Sequence, residues 1–585
     1  MVGEEDEQKE LPFRHFPRSA ESFSCILDQL DRDLEEEEGE EEEGGEEQSS
    51  SIVLSHPLDF HEQFSRITIV TTASLPWLTG TAVNPALRAA YLWKAGHSVT
   101  LLVPFIVPEE QGLVFADNVR FQRPEDQVAA VADCIQRRVP FPIPLSENTA
   151  NDESLGFRLR FYPAKYDPAL GSIIPDGDIQ PLVPVPVDCI VLEEPEHLTW
   201  HHAGRRWTRA FEPHVPVVGV IHTNYVDYAR RMAGDRAAGT LRRLNKFLCR
   251  QHTHKVIKLS DAVQELPRQE TCFVHGVSHS FLNQRAAPAS DSGESTLVPF
   301  TKGAYFIGKA LWAKGFAELL DQMEEHRKRH EMLEKRDSIQ IADKAVKDAR
   351  TVDVYGSGPQ LKAIKKESYR RKLDGWLRFL GPMDHLADEI KEYRAFINPS
   401  TSDVVATTSA EALAMGKWLV VPRHPCNEFF SSFTNCLVYS SSEEFSMALD
   451  TALSKDPAPL SDEERQKLSW EAATDRFLHC CASVDVSRGA AFERVAAKTG
   501  WLGYNVGYQV YSVVTGALDL VRKGMQQQQD DDDDDDDVND DINERDNDEG
   551  NKSKGNKSKG NKSKGNKLSI NALQLPRSHC LGKAD

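Results

Sequence analysis

Two acidic side chains, Asp403 and Glu411, are the first candidates for chemistry, because they stand eight positions apart where strand-like and helix-like sequence alternate. An apolar run at residues 395–398 predicts a strand, and residues 408–415 are expected to form a short helix. Asp403 then lies in a loop and Glu411 on a helix at the carboxyl end of a strand, where open α/β sheets bind ligands. Two such carboxylates can hydrogen-bond a polyhydroxyl ligand from two directions. The alternative for Glu411 is a capping box with Thr408, in the pattern Thr-x-x-Glu.

Two lysines, Lys309 and Lys314, follow a second predicted strand at residues 304–307, with Gly308 directly between strand and lysine. Ammonium groups at a ligand edge suit a diphosphate, although either lysine alone is equally expected as a surface residue before a helix. The following predicted strand ends in Gly356, in a Gly-Ser-Gly turn that is typical of a nucleotide contact. That turn lacks the Gly-Lys-Ser/Thr ending, so it is not a P-loop.

The amino-terminal half repeats this arrangement. A strand at residues 67–70 is followed by a Gly-containing loop with Gly80 and Thr81, and this loop precedes the amino terminus of a helix. Exposed backbone amides at such a helix start can bind a phosphate. A later strand, residues 215–221, ends in His222. A lone histidine is more often structural, but its place at the same ligand edge favours a functional role.

Two further regions are candidates for an acceptor site or a membrane contact. His197 lies in the polar and aromatic stretch around residues 193–202, which either lines an acceptor site or is only a loop rich in hydrogen bonds. Arg242, Lys246 and Arg250 recur every fourth residue along a predicted helix whose leucines occupy another face. A basic amphipathic helix is typical of binding to an anionic membrane surface, and the alternative is a solvated face of a helix packed on the sheet. Nucleic-acid binding is not favoured, because aromatic residues do not interleave with the basic ones.

Composition describes a chain of 585 residues whose net charge of −22 lies mostly in its ends. Residues 1–50 carry a net charge of −15, residues 526–550 carry −13 and residues 551–585 carry +8, so residues 51–525 carry only about −2 and imply no acidic or basic partner. The ten cysteines show no C-x-x-C spacing, which indicates a reducing compartment and neither a disulfide framework nor a zinc motif. The amino terminus resembles neither a secretory signal nor a transit peptide, and no apolar run is long enough for a transmembrane helix.

The fold class expected from these patterns is α/β, with two Rossmann-like domains facing across an interdomain cleft and disordered acidic tails. The predicted segments are a disordered tail (1–60), a Rossmann-like acceptor and membrane domain (61–285), a linker (286–300), a Rossmann-like nucleotide-sugar domain (301–480), a helical segment (481–525) and a low-complexity tail (526–585).

Several blocks of the chain resemble the digalactosyldiacylglycerol synthase family of retaining GT-B glycosyltransferases. They are TTASLPWLTGTAVNPALRAAYL, EEPEHLTWHHAGRRW, GVIHTNY, HGV, GAYFIGKALWAKG, INPSTSDVVATTSAEALAMGKWLVV and LSWEAATDRF. The resemblance covers roughly residues 64–480 and leaves both tails outside it.

The resemblance implies transfer of galactose from UDP-galactose to monogalactosyldiacylglycerol with retention of configuration. It implies that Lys309 and Lys314 grip the diphosphate, Glu411 contacts the ribose and Asp403, in place of the usual glutamate, contacts the transferred sugar. It also implies that His222 contacts that sugar. The remaining residues expected around the donor are Gly80, Thr81, Gly308, Gly356 and Ala410.

The same resemblance implies a catalytic path without a metal or other cofactor, in which the leaving phosphate assists attack by the acceptor hydroxyl. It further implies a peripheral protein on the cytosolic side of the chloroplast outer envelope. Two alternatives remain at this stage. One is a GT-B transferase with another donor or acceptor, and the other is a catalytically silent protein that binds membranes.

Overall fold

The computed structural model of the chain describes residues 65–115, 119–145, 156–167, 172–200, 204–282, 299–337 and 350–482, together with the single residues 32, 484 and 486. The predicted tails, nearly all of the predicted linker and nearly all of the predicted helical segment 481–525 lie outside the described residues.

The amino-terminal sheet has eight strands in the order β4-β3-β2-β1-β5-β6-β7-β8. Its strands are β1 (Arg66–Val70), β2 (Ser98–Ile106), β3 (Phe157–Asp167), β4 (Ser172–Pro175), β5 (Cys189–Glu193), β6 (Val217–Ile221), β7 (Lys255–Lys258) and β8 (Gln269–Thr271). Neighbouring strands are parallel except for β3 and β4. The central strands are buried along their whole length, as parallel strands covered on both faces must be.

The helices of this part connect the parallel strands and cover the sheet. They are α1 (Gly80–Lys94), α2 (Pro124–Gln136), α3 (Pro195–Thr199), α4 (Trp207–Ala210), α5 (Tyr225–His252) and α6 (His279–Leu282). Helix α5 is broken at Gly234, whose φ of 80° is left-handed and so suits glycine.

The second sheet is parallel throughout, with six strands in the order β11-β10-β9-β12-β13-β14. Its strands are β9 (Lys302–Ile307), β10 (Val352–Tyr355), β11 (Leu377–Gly381), β12 (Tyr393–Ile397), β13 (Trp418–Pro422) and β14 (Cys436–Tyr439). Its helices are α7 (Phe316–Asp337), α8 (Leu361–Arg370), α9 (Asp388–Lys391), α10 (Thr407–Ala414), α11 (Glu428–Ser431), α12 (Ser442–Ser454) and α13 (Asp462–Leu468). Two separate apolar clusters cover the two faces of the sheet.

The last described helix, α14 (Trp470–Ala482), leaves the second sheet and packs on the first. Trp470 stacks on Tyr91 of α1 with ring centroids 5.9 Å apart, and the guanidinium of Arg88 lies 4.7 Å above the ring of Phe477. A Cβ atom on Gly276 would meet the backbone of Trp470 at 2.5 Å, so this crossing is tight. The domain boundary predicted at residue 480 therefore falls inside a helix that belongs to the amino-terminal core.

The predicted two-sheet architecture is confirmed, and the strand positions agree with the sequence pattern to within a few residues. Two local expectations differ. Helix α1 begins at Gly80, so Gly80 and Thr81 form its first turn. Helix α10 is preceded by Ala406, which makes no side-chain cap, so the alternative interpretation of Glu411, a capping box with Thr408, does not hold. Among the described residues, no helix combines the length and apolar character needed to cross a bilayer.

Candidate functional site

The second sheet brings its candidate residues together at the point where its strand order reverses. Strands β9 and β12 are parallel neighbours, yet β9 continues to β10 on one side and β12 to β13 on the other. Such a switch point opens a crevice at the carboxyl ends of the strands, and ligands bind there. The loop after β9 carries Lys309 and Lys314, and the loop after β12 carries Asp403. The hydroxyl of Ser402 donates a hydrogen bond to the carbonyl of Ala313, which ties the two loops together.

Lys314 is the centre of this crevice. Its Nζ lies 2.7 Å from Oδ1 of Asp403 and 5.9 Å from the ring centroid of Tyr228, which belongs to helix α5 of the amino-terminal part. Burial alone would lower the pKa of Lys314, but the attraction of Asp403, together with Tyr228, outweighs it and raises the pKa above the usual range. An ammonium has three N–H donors. The bond to Asp403 therefore leaves donors for a ligand.

Lys309 differs from Lys314 because it has no carboxylate partner among the described residues. It is exposed in the crevice, but surrounding protein removes part of its hydration, and this loss together with the positive charge of Lys314 lowers its pKa. An anion bound between the two lysines would relieve this repulsion, so the pair is a candidate anion site.

Glu411 is held from behind by a chain of polar side chains. Its Oε2 lies 2.6 Å from Nδ1 of His385, and Nε2 of the same ring lies 2.7 Å from the hydroxyl of buried Tyr305. The carboxylate remains partly exposed, at 23%. The chain fixes the orientation of Glu411 and leaves Oε1 to accept hydrogen bonds from a ligand.

Gly308 and Gly356 line the crevice through their backbones. A Cβ atom on Gly356 would lie 1.9 Å from the carbonyl oxygen of Gly308, so only glycine allows the loops after β9 and β10 to approach this closely. Ala410 is different, because its side chain is buried in the apolar cluster beside the sheet and its amide bonds to the carbonyl of Ala406. The structure therefore does not present Ala410 to a donor as the resemblance implied.

The first sheet reverses its strand order between β1 and β5, and α1 begins at this edge. Thr79 precedes α1 in an extended conformation but makes no side-chain cap, and the amides of Gly80 and Thr81 have no acceptor among the described residues. Uncapped amides at the positive end of a helix dipole form an anion site. The phosphate contact predicted for Gly80 and Thr81 stays a prediction.

His222 follows β6 at the same edge and is fixed by a buried ion-pair network. Its Nε2 lies 2.5 Å from Oε2 of Glu193, whose Oε1 pairs with Nε of Arg88 at 2.8 Å. Glu193 and Arg88 are 0% and 1% exposed. Burial alone would raise the pKa of Glu193, but the charges of Arg88 and His222 hold it below its usual range. Nδ1 of His222 is then the ring atom through which it can contact a ligand.

The ring of His222 also stacks on His275, with centroids 4.9 Å apart. Burial and the positive charges of His222 and Arg88 hold the pKa of His275 well below its usual range, so this ring is neutral. The neutral ring of His275 therefore supports His222 by packing and adds no charge to the ligand edge of the first sheet.

The two ligand edges meet across the cleft. Lys314 faces the ring of Tyr228, and the hydroxyl of Ser260 donates to the carbonyl of Val404, next to Asp403. An ion pair of 3.8 Å links Arg231 of α5 to Glu318 of α7. These contacts hold the helix dipole of α1 and His222 on one wall and the lysines and acids on the other.

The residues predicted to contact the acceptor or the membrane differ in how exposed they are. Arg242 is exposed and Lys246 is half-buried, but Arg250 is only 6% exposed. A step of four residues turns a helix by about 40° beyond a full turn, so three such positions rotate from solvent into the protein. Arg250 therefore does not share an exposed basic face. His197 is 4% exposed, with its ring 5.0 Å from Trp200, so it supports the wall of the cleft and does not line it.

Several residues of the site were missed from the sequence. Glu193, Arg88, His385 and Tyr228 received no role, although an arginine within the apolar face of a predicted helix is a signal that Arg88 needs a buried acid. Glu193 could have been found by noticing that it ends a strand adjacent to the one that leads to His222.

Comparison with known proteins shows which proteins this chain is similar to. Residues 302–455 match the family model described as "Glycosyl transferases group 1". Solved structures with similar folds include HepE of Anabaena with UDP and glucose (12% identity, TM-score 0.37, 75% of this chain and 100% of that one). Another is sucrose-phosphate synthase of Thermosynechococcus elongatus (13% identity, TM-score 0.36, 75% of this chain and 98% of that one). The class that residues 302–455 match is therefore that of the glycosyltransferases.

Curated relatives specify the family. The chain is 43% identical to digalactosyldiacylglycerol synthase 1, chloroplastic, of Glycine max over 70% of this chain and 48% of that protein. It is 42% identical to digalactosyldiacylglycerol synthase 2, chloroplastic, of Arabidopsis thaliana over 72% of this chain and 82% of that protein. The chain belongs to the digalactosyldiacylglycerol synthase family. It spans about half the length of the type 1 relatives.

Proposed function

We propose that this protein transfers galactose from UDP-galactose to monogalactosyldiacylglycerol with retention at the donor carbon, giving digalactosyldiacylglycerol. The observation that carries the proposal is the convergence of Lys309, Lys314, Asp403 and Glu411 at the switch point of the second sheet, opposite the start of α1 and His222. Cations for a diphosphate beside carboxylates for hydroxyl groups are the recognition elements of a nucleotide sugar. Membership of the family supports the choice of product.

In this proposal the sugar-nucleotide donor binds to groups of the site that still have hydrogen-bonding capacity. Lys309 has no carboxylate partner among the described residues, and Lys314 has donors besides the one directed at Asp403, so both can bond the diphosphate. The uncapped amides of Gly80 and Thr81 approach it from the other wall. Glu411, oriented by His385, accepts hydrogen bonds from the ribose hydroxyls.

Charge stabilisation is the main catalytic contribution in this proposal. As the glycosidic bond lengthens, negative charge develops on the departing UDP, and the two ammonium groups are already placed to meet it. The proposal assigns this role to the lysines, so the transfer itself requires no metal. Closure of the two sheets over the donor excludes water and limits hydrolysis.

Retention is assigned to attack from the face of the leaving group. The acceptor hydroxyl approaches the anomeric carbon beside the phosphate, and an oxygen of the leaving phosphate takes the hydroxyl proton. Asp403 and His222 hold the galactose from opposite walls. A double displacement would need a carboxylate aimed at the anomeric carbon, and Asp403 is instead paired with Lys314.

The lipid acceptor requires contact with a membrane surface. The exposed Arg242 and the half-buried Lys246 on α5 offer positive charge toward anionic headgroups, near the wall that carries Tyr228 and His222. We assign the protein a peripheral position on the cytosolic side of the chloroplast outer envelope, in accord with relatives named chloroplastic.

The test is an assay of the purified chain with UDP-galactose and monogalactosyldiacylglycerol in mixed micelles. UDP release should depend on the lipid, and mass spectrometry with proton NMR of the product should show a second galactose in α linkage. UDP release without lipid dependence, or with another sugar nucleotide only, would overturn the assignment.

A further inference from the structure

A cluster of metal-ligating side chains lies between helices α7 and α12, away from the cleft. His326 and His330 stand one turn apart on α7, and Asp450 faces them from α12. One ligating atom from each of the three lies within 4.8 Å of the others. Two imidazoles and a carboxylate are a donor set typical of zinc.

His326 has an unused ring nitrogen in the interior. The residue is 0% exposed, and its Nδ1 lies 2.7 Å from the hydroxyl of Ser446. Its Nε2 has no hydrogen-bond partner among the described residues. A buried polar atom without a partner is costly, so this nitrogen points to a ligand that the three side chains share.

His330 and Asp450 are already joined. Nε2 of His330 lies 2.9 Å from Oδ1 of Asp450, while Nη1 of Arg329 donates to the other carboxylate oxygen at 2.8 Å. The indole of Trp376 closes one side, 5.4 Å from His326 and perpendicular to it. Ser446 and Arg329 thus orient a histidine and the carboxylate, as outer groups around a metal do.

We propose that His326, His330 and Asp450 bind a divalent zinc ion. Nε2 of His326, Nε2 of His330 and a carboxylate oxygen of Asp450 supply three ligands, and a water completes four-coordination. The ion takes the place of the proton that His330 shares with Asp450, and the remaining ring proton of neutral His330 resides on Nδ1. Tetrahedral ligands stand about 3.3 Å apart around zinc, so closing the cluster needs only small side-chain movements.

The position of this site separates it from the transfer reaction. His326 follows Lys314 by twelve residues, which along a helix corresponds to about 18 Å. The ion therefore fixes α7 on α12 and acts on the cleft only through the rigid start of α7. The proposal is independent of the proposed function, and its test needs no assay of transfer.

The test begins with full-length protein stripped of metal by EDTA. Cobalt(II) is added as a spectroscopic probe, and zinc is titrated in competition with a chromophoric chelator. The wild type should take up a single cobalt ion per chain with the intense visible bands of four-coordination. Absence of that spectrum in the wild type would overturn the proposal directly.

Variants locate the site. His330→Ala and Asp450→Asn should each weaken zinc binding by more than about 100-fold, and Ser446→Ala by about 10-fold, because an outer group contributes less than a ligand. His214→Ala, which removes an exposed histidine, is the control and should bind like the wild type. Zinc should raise the melting temperature of the wild type but not of Asp450→Asn. Wild-type zinc affinity in both His330→Ala and Asp450→Asn would contradict the assignment. Because Asp450 lies at the surface, the Asp450→Asn variant keeps the test decisive even if His330→Ala does not fold.

Discussion

Nζ of Lys314 lies 2.7 Å from Oδ1 of Asp403, and the same ammonium faces the ring of Tyr228 across the cleft, 5.9 Å from its centroid. In the proposed site this side chain lies between the diphosphate, the sugar and the opposite wall. In the proposed site the lysine is held in place before the donor arrives, so little reorganisation is needed when charge develops on the leaving group.

Lys314→Ala should reduce kcat by about 100- to 1,000-fold, because it removes a preorganised donor to the leaving diphosphate. The measurement is UDP release with the lipid acceptor at saturating donor. Lys366→Ala, an exposed lysine of α8, is the matched control and should leave kcat unchanged. Activity of Lys314→Ala within a few-fold of the wild type would exclude this role.

Glu411→Gln should weaken binding of UDP by roughly 10- to 100-fold, because hydrogen bonds to a charged group contribute about 1.5–3 kcal/mol. The amide keeps the size of the side chain, so the chain through His385 to Tyr305 stays packed. Isothermal titration with UDP and with UMP checks the effect, since both carry the ribose. An equal affinity in the variant would show that the carboxylate does not contact the nucleotide.

The alkaline limb of kcat/KM should reflect Lys309. Its pKa is lowered by partial loss of hydration and by Lys314, so its ammonium loses its proton at a lower pH than an ordinary lysine does. Donor capture should therefore fall early as pH rises. Lys309→Arg keeps its charge at these pH values and should extend kcat/KM to higher pH, while Lys366→Arg should not. If the alkaline limb of kcat/KM does not shift in Lys309→Arg, the limb reflects the ionisation of another group.

The strands that carry the site could be read from the sequence because parallel strands buried on both faces leave continuous apolar runs. Lys309 and His222 were found in this way, since each lies within two residues of the end of such a run, and Asp403 lies in the loop that follows another. Their partners were not, because Arg88 reaches Glu193 across 105 residues and no local pattern encodes that distance. Arg250 was wrongly grouped with the exposed basic residues. Residues four apart rotate progressively around a helix, so the last of the three positions is buried in the core.

The buried pair of Arg88 and Glu193 should dominate the stability of the first sheet. Arg88→Met leaves a buried carboxylate with His222 as its remaining partner and should lower the free energy of unfolding by roughly 3–5 kcal/mol. Adding Glu193→Leu should recover part of that loss. Urea unfolding followed by circular dichroism measures both. Arg137→Met breaks an exposed pair with Asp133 and should cost less than about 1 kcal/mol.

The same pair gives stability a pH dependence of known sign. Because the folded pKa of Glu193 is held below its usual range, its contribution is present above the ordinary pKa of a glutamate and is lost as pH falls through the lowered value. The Arg88→Met/Glu193→Leu double variant should lack this component. If the free energy of unfolding falls equally with decreasing pH in the wild type and the double variant, the contribution of Glu193 is refuted.

Removing Arg242 and Lys246 together should weaken binding to vesicles containing anionic lipid by roughly 30-fold, from about 1 kcal/mol per charge near the surface. Cosedimentation at low salt measures this, and Lys365→Ala/Lys366→Ala removes the same charge from another helix as a control. Arg250→Ala should instead lower the melting temperature, because that side chain is buried. Unchanged sedimentation of the Arg242→Ala/Lys246→Ala variant would remove α5 from the membrane surface.

Calorimetric titration of UDP into the wild type, Lys314→Ala and Lys366→Ala tests most directly whether the two switch points form one sugar-diphosphate site. We expect a single UDP site in the wild type, strongly weakened in Lys314→Ala and unchanged in Lys366→Ala. UDP binding of equal strength in all three proteins would contradict it.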